Sequence, residues 1–328
     1  MKYKRLDAKD FAREHLRGIW AAALTPFDDG LRLDEVGFRK NLRHWVRDLG
    51  LGGLFISGKQ GEFFSMSLAE RKRTFEMAVE ETAGLSQTIM SCSDQNLDSV
   101  LELARYAQNI GAEYIVVHAP VLHFVNPQDD TVYEYYRYLS EQLDIGIAMW
   151  SHPDSGYLMS PELCTRIAEL PNIVAIKYSV PRNMYVRLTH MVGDKLIVST
   201  SSEEEWLDNI LELNWQVYLC STPPYLLQTK IDQRIDEYTK LAMAGDAARA
   251  RVVRDSLEPV RKALLGSRPG GKVHAQQKYW QELLGQAGGP VRRPLLSLTQ
   301  PEKDAIQNAF DACGLRLGED RSRGTPPR

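Results

Sequence analysis

The 328-residue chain has four cysteines, Cys92, Cys164, Cys220 and Cys313, with no CxxC pair and no metal-ligand spacing among them. Disulfide scaffolds and zinc modules need clustered cysteines, so both are excluded, and these four read as reduced, packed thiols of a cytosolic protein. No apolar run approaches the length of a membrane span, and the N-terminal MKYKRLDAKDFAREHLRG is too charged to hold a signal-peptide core. The net charge is −3 and no basic stripe occurs, which argues against a nucleic-acid footprint. Missing too are a Gly-rich dinucleotide fingerprint, a P-loop and a GxSxG elbow. The glycines of GLGGLF (51–55 and the preceding Gly50) stand before a strand, not after one, and do not form a cofactor motif.

What is present is an alternation. Hydrophobic residues make up 43% of the chain, an ordinary globular balance. Short β-rich runs lie at 19–25, 53–58, 87–92, 114–119, 145–152, 173–179, 196–201 and 216–221. Most are continuously apolar, as strands are when both faces of a parallel sheet are covered. Amphipathic stretches separate them. LDEVGFRKNLRHWVRDLG places Val36, Phe38, Leu42, Trp45, Val46 and Leu49 near one face, and SLAERKRTFEMAVEETAG opens with a capping box, Ser67 and Glu70. A segment from Pro223 to Gly245 supplies the last helix of the alternation.

Eight strand–helix units fit an α/β fold of the (β/α)8 TIM-barrel type, with a doubly wound open sheet as the competing topology. The expected organisation is an N-terminal extension (1–17), the barrel (18–245), a C-terminal helical appendage (246–316, with helices near 246–265, 274–285 and 300–313) and a loose tail (317–328).

In such barrels chemistry sits at the C-terminal strand ends. Here these carry Thr25, Gly58-Lys59-Gln60, Cys92, Trp150-Ser151-His152, Lys177-Tyr178, Ser201-Ser202 and Ser221. Lys177 ends the apolar run Ile173-Val174-Ala175-Ile176. Burial disfavours an ammonium ion, so such a lysine is expected to titrate below its usual value of about 10.4, toward about 7 to 8. A neutral amine there can attack a ketone and form an imine. The competing reading is a lysine that leaves the strand and snorkels to water.

ALTPFDDG (23–30), GLGGLFISGKQGEFFSMSLAER (50–71), NIVAIKYS (172–179) and LLGQAGGPVRRPLLSLT (283–299) together resemble the dihydrodipicolinate synthase / N-acetylneuraminate lyase family, over roughly residues 17 to 315. The resemblance implies a (β/α)8 barrel with C-terminal helices, commonly a homotetramer. It also implies a Schiff base between Lys177 and pyruvate or another 2-oxo acid, with no cofactor.

The departures from that pattern are equally informative. Gly58-Lys59-Gln60-Gly61-Glu62 stands where the family has Gly-Thr-Thr-Gly-Glu. The turn can still offer backbone N–H groups to a carboxylate, and Lys59 and Gln60 become candidate substrate-binding residues, the latter as an amide donor. Lys59 facing solvent is the equal alternative. Trp150 replaces the family's proton-shuttling tyrosine, and an indole N–H donates but does not exchange a proton near neutral pH. His152, two residues on, is the candidate replacement acid/base, against an ordinary loop histidine before Pro153. In the loop after strand four, His123 and Phe124 stand nearest to the family's tyrosine pair, with packing as their bland role. The arginine loop of the true synthases is replaced by Pro153-Asp154-Ser155-Gly156, which speaks against diaminopimelate synthesis. Glu203-Glu204-Glu205 read as the opening of a helix, not as metal ligands.

The expectation is therefore a cytoplasmic, homo-oligomeric lyase, an aldolase or hydratase-aldolase, acting on a 2-oxo acid with an apolar or aromatic tail. Lys177 and His152 are its catalytic residues. Lys59, Gln60, Trp150, Thr25, Ser221 and His123 bind substrate. Neither a metal, a nucleic acid nor a membrane is a partner. A sugar-acid dehydratase and a silent 2-oxo-acid binder are the alternatives.

Overall fold

A computed structural model of the protein describes residues 2–122, 128–153, 157–200 and 202–317. The chain divides into two compact units: Met1–Ala23 with Leu51–Thr222, and Leu24–Gly50 with Pro223–Arg328.

The first unit holds the whole sheet. Its strands are β1 (Gly18–Ala22), β2 (Gly53–Ile56), β3 (Gln87–Ser91), β4 (Tyr114–Val117), β5 (Gly146–Ser151), β6 (Ile173–Tyr178), β7 (Ile197–Ser199) and β8 (Val217–Leu219). All pairings are parallel, in the order β7-β6-β5-β4-β3-β2-β1-β8. With β7 beside β8, this is a nearly closed (β/α)8 barrel, not an open sheet. Among the described residues no ladder joins β7 to β8. A side chain spans the seam instead: Ser199 Oγ accepts from the buried Leu219 N–H at 2.9 Å and donates to the Thr200 carbonyl at 3.3 Å.

The strands are shorter than the apolar runs that announced them. Apolar continuity marks burial, and burial outlasts the ladder: Ala23, Cys92 and Cys220 are buried beyond their strand ends. All four cysteines are free and buried.

The barrel floor is aromatic. Tyr3 and Phe11 rings lie 4.4 Å apart, Phe11 and Tyr114 6.0 Å, Tyr114 and Trp20 6.1 Å. Tyr3 Oη donates to the Glu113 carbonyl and accepts from Gly146 N, so the segment leading into helix α1 (Ala8–His15) packs onto strands β4 and β5. The glycine that opens β2, Gly53, now has a physical reason. A Cβ at Gly53 would stand 2.2 Å from the Trp20 indole, so the floor closes only over a glycine.

Sequence order explains the remaining helices of this unit: α3 (Leu68–Thr82), α4 (Leu97–Asn109), α5 (Asp129–Gln142), α6 (Pro161–Ala168), α7 (Arg182–Val192) and α8 (Trp206–Leu213), with α2 belonging to the second unit. The Ser67–Glu70 capping box opens α3, Ser160 caps α6, and Glu205 stands at the N-cap of α8.

The second unit contains α2 (Glu35–Arg43), α9 (Arg234–Met243), α10 (Ala247–Ser256), α11 (Glu258–Gly266), α12 (Val273–Leu283) and α13 (Gln300–Ala312). Past Arg43 the α2 helix widens into a π turn, His44–Asp48. Of its expected apolar face, Phe38, Leu42, Trp45, Val46 and Leu49 are buried, but Val36 is 80% exposed. Val36 lies about 200° round the helix from Phe38, off the buried stripe. The single helix expected over 246–265 breaks at Leu257, because Pro259 lacks an N–H and its ring clashes with the preceding turn. The glycine-rich segment after α12 is a packing element: Asn41 exchanges two hydrogen bonds with Ala287 at 2.7 and 2.9 Å, and Trp45 Nε1 donates to Gln286 Oε1 at 2.7 Å. The expected loose tail falls, from residue 318 on, outside the described residues.

Replacing Ser199 by Ala strands the buried Leu219 N–H. The variant is expected to lose about 1–3 kcal/mol in chemical denaturation. A loss under about 0.5 kcal/mol would mean that the hydroxyl does not hold the seam.

Candidate active site

The candidate site is built around strand β6, and its geometry depends on one extra residue. Pairing with β5 steps from Ile147–Ile173 to Ala148–Ala175, so Val174 is the surplus residue of a bulge. Simple alternation from Ile173 would send Lys177 to the face of Ile147. The bulge resets the phase and pairs Lys177 with Trp150 on one side and Ser199 on the other. Tyr178 then points outward, donating to the Met159 carbonyl at 2.5 Å, and Lys177 points into the barrel.

Lys177 is 1% exposed. Its Nζ lies 4.9 Å from the Phe55 ring centroid and 5.5 Å from that of Trp150, and it donates to the Cys220 carbonyl at 2.7 Å. Among the described residues no carboxylate pairs with it. Desolvation therefore lowers its pKa to about 8. A Cys220 thiolate would raise it again, but burial pushes that thiol up to about 11, so the anion is absent at neutral pH. The positive charge of Lys59 adds a further downward push. At pH 7 about a tenth of Lys177 is neutral, roughly two hundred times the share of an ordinary lysine. The snorkelling alternative is thereby excluded.

The turn after β2 frames the amine. Ser57 and Glu62 both adopt left-handed backbone conformations, with φ of 51° and 58°. Glu62 N donates to the Lys59 carbonyl at 3.1 Å, and Phe63 N to that of Gly58 at 3.4 Å. Gly58 has no room for a side chain, because its Cβ would stand 2.9 Å from the Phe55 ring that covers Lys177. Gln60 is buried and its Nε2 donates to the Ser221 carbonyl at 2.9 Å. The donor expected to face a substrate carboxylate is thus already engaged. Thr25 is buried and belongs to the second unit. His123 lies outside the described residues, as do Phe124, Ser201 and the loop 154–156.

Trp150 is the hub of an aromatic wall. Its ring meets Phe55 at 5.7 Å, His118 at 5.5 Å and His152 at 6.3 Å, each edge-on, and its buried Nε1 has no acceptor among the described residues. His152 is half-buried just past β5. His118 was missed from the sequence. Its Nδ1 lies 3.0 Å from the Ala119 carbonyl, an acceptor only, so the proton resides on Nδ1 and Nε2 keeps its lone pair. Burial lowers its pKa, so the ring is neutral. The signal was available: His118 ends the apolar run YIVVH as Lys177 ends IVAIK. Behind it, buried Arg71 donates to the Ser91 carbonyl at 2.6 Å and lies 5.3 Å from the Phe63 ring.

The sequence profile of the dihydrodipicolinate synthetase family matches residues 15–313. The chain belongs to this family. A 4-hydroxy-tetrahydrodipicolinate synthase of Bradyrhizobium diazoefficiens is 26% identical over 93% of this chain and 99% of its own length, and that of Brucella suis 27% identical over 92% and 99%. The fold agrees with solved structures. YagE of Escherichia coli K12, a prophage protein of the dihydrodipicolinic acid synthase family crystallised with pyruvate, superposes with a TM-score of 0.81 at 20% identity, covering 92% of this chain and 99% of that one. CdNal of Clostridium difficile, crystallised with mannosamine, gives 0.79 at 21% identity, covering 90% and 98%. Two of the residues singled out from the sequence act directly on this amine: the charge of Lys59 lowers its proton affinity, and the Trp150 ring lies 5.5 Å from its nitrogen.

The lowered pKa carries a linkage. The unfolded chain binds a proton at this lysine up to about pH 10.4, the folded one only to about 8. Between these values the unfolded state binds more protons, so stability rises with pH; below about 8 the site costs roughly 3 kcal/mol. Lys177→Met is expected to flatten the stability curve between pH 8 and 10, measured by urea unfolding at a series of pH values. Parallel curves for the two proteins would show that the amine is not desolvated.

Proposed function

We propose that the protein is a class I lyase that holds pyruvate or another 2-oxo acid as an imine on Lys177. The observation that carries this reading is a buried amine with aromatic walls, a carbonyl to orient it and, among the described residues, no counter-charge. The Cys220 carbonyl holds one N–H, which leaves the lone pair of the neutral amine for a ketone carbon. The new C–N bond turns the ketone oxygen into a hydroxyl, a proton passing from nitrogen to oxygen. That hydroxyl then leaves as water with a proton taken from solvent, and the nitrogen keeps its remaining N–H, so the imine is protonated. The Phe55 and Trp150 rings suit this delocalised cation.

The imine withdraws electrons from the neighbouring carbon. When the substrate carries a hydroxyl at C4, removal of its proton cleaves the C3–C4 bond and leaves an enamine, which is protonated at C3 and hydrolysed to release the 2-oxo acid. The turn from Gly58 to Gly61 and the charge of Lys59 are assigned to the substrate carboxylate, with Ser221 as a further contact. Proton transfer is assigned to His152 and to His118, whose rings both meet that of Trp150. That wall favours an apolar or aromatic tail. The pyruvate complex of YagE supports the choice of 2-oxo acid. Trp150 favours one second reading, a silent 2-oxo-acid binder, since it cannot shuttle protons.

Borohydride reduction in the presence of pyruvate separates these readings. The peptide bearing Lys177 is expected to gain the reduced adduct, and Lys177→Met to gain none. Failure to trap with pyruvate and longer 2-oxo acids, or trapping elsewhere, rejects the lyase. Deuterium exchange at pyruvate C3, followed by NMR, reports the proton step. His152→Asn and His118→Asn are expected to slow it by about 100-fold between them while trapping persists. Unchanged exchange in both removes the histidines from the mechanism.

A further inference from the structure

The turn after β2 carries a group that imine formation leaves unused. Gln60 is 7% exposed, and its Nε2 donates to the Ser221 carbonyl at 2.9 Å. That contact fixes the amide's orientation, because a carbonyl accepts only from an N–H. Gln60 Oε1 is consequently the other end. It is buried and has no hydrogen-bond donor among the described residues.

Its position ties it to the reactive amine. Cys220 and Ser221 are consecutive residues just past β8; the carbonyl of the first holds Lys177 Nζ at 2.7 Å and that of the second holds Gln60. The neighbouring Lys59 acts electrostatically on Lys177. Leaving a buried acceptor unmet is costly, and a ligand that brings a donor relieves the cost. An amide oxygen also repels a carboxylate. In this orientation the group that Gln60 leaves unpartnered suits a neutral donor, not an acid end.

We propose that Gln60 Oε1 is a specificity element that accepts a hydrogen bond from a substrate hydroxyl, so that the chamber selects hydroxylated 2-oxo acids over their deoxy counterparts. The proposal rests on the 2-oxo-acid reading of the site and names the substrate class within it. A site built around such a bond discriminates against the analogue that lacks the donor, because the protein acceptor is then left unpaired.

The test compares calorimetric affinities for pyruvate against 3-hydroxypyruvate, and for 2-oxobutanoate against 4-hydroxy-2-oxobutanoate. Both are read in the native protein and in Lys177→Met, where no imine forms. The hydroxylated partner of at least one pair is expected to bind about ten-fold more tightly. That preference is expected to fall within about two-fold in both Gln60→Met and Gln60→Lys. Lysine keeps an N–H for the Ser221 carbonyl while removing the acceptor. Its added charge acts equally on both members of a pair. Equal affinities in the native protein overturn the proposal, as does a preference that survives in either variant, or no binding of any of the four acids. Borohydride trapping with the same compounds tells the two ideas apart. A hydroxyl preference without trapping sinks the imine and leaves Gln60 its role; trapping without preference does the reverse.

Discussion

An ammonium ion stripped of water and, among the described residues, given no anion is the constraint around which the site is arranged. Aromatic faces and one carbonyl compensate only part of the lost hydration, so the proton is held weakly and the amine is partly neutral at physiological pH. The other features of the chamber maintain that imbalance. Phe55 covers the nitrogen because Gly58 leaves it room. Cys220 sits close but stays protonated. Lys59 contributes repulsion. A carboxylate in place of any of these would restore an inert ion pair.

Much of the fold was legible because parallel strands covered on both faces are written as continuous apolar runs, and eight of them in alternation with capped helices leave few topologies. Strand ends were not legible, since Ala23, Cys92 and Cys220 are as apolar and buried as the paired residues before them. Nor was the helix break at Leu257 read, although Pro259 announced it. The phase of β6 lay beyond any periodic reading. Val174 is one valine in an apolar stretch, yet as the bulged residue it decides which way Lys177 faces.

The site was legible in chemistry more than in geometry. Lys177 stood out because a lysine closing an apolar run is anomalous. Gln60 was noticed as a donor, whereas the fold employs that donor on Ser221 and presents the oxygen. His118 escaped notice because a histidine at a strand end is compatible with ordinary packing; what distinguishes it is a tautomer set by the carbonyl of the next residue. Such assignments depend on partners distant in sequence or on main-chain direction, neither of which residue identity encodes.

The single hydroxyl at Ser199 has a wider reach than its size suggests. Ser199 is the register partner of Lys177, and it grips β8 one residue before the carbonyl that receives the amine. The place where the cylinder is stitched by a side chain is therefore also where its nucleophile is moored. Any breathing that parts the last two staves moves the Cys220 oxygen away from the nitrogen, so a local opening of the wall and the chemical readiness of the lysine are one and the same fluctuation.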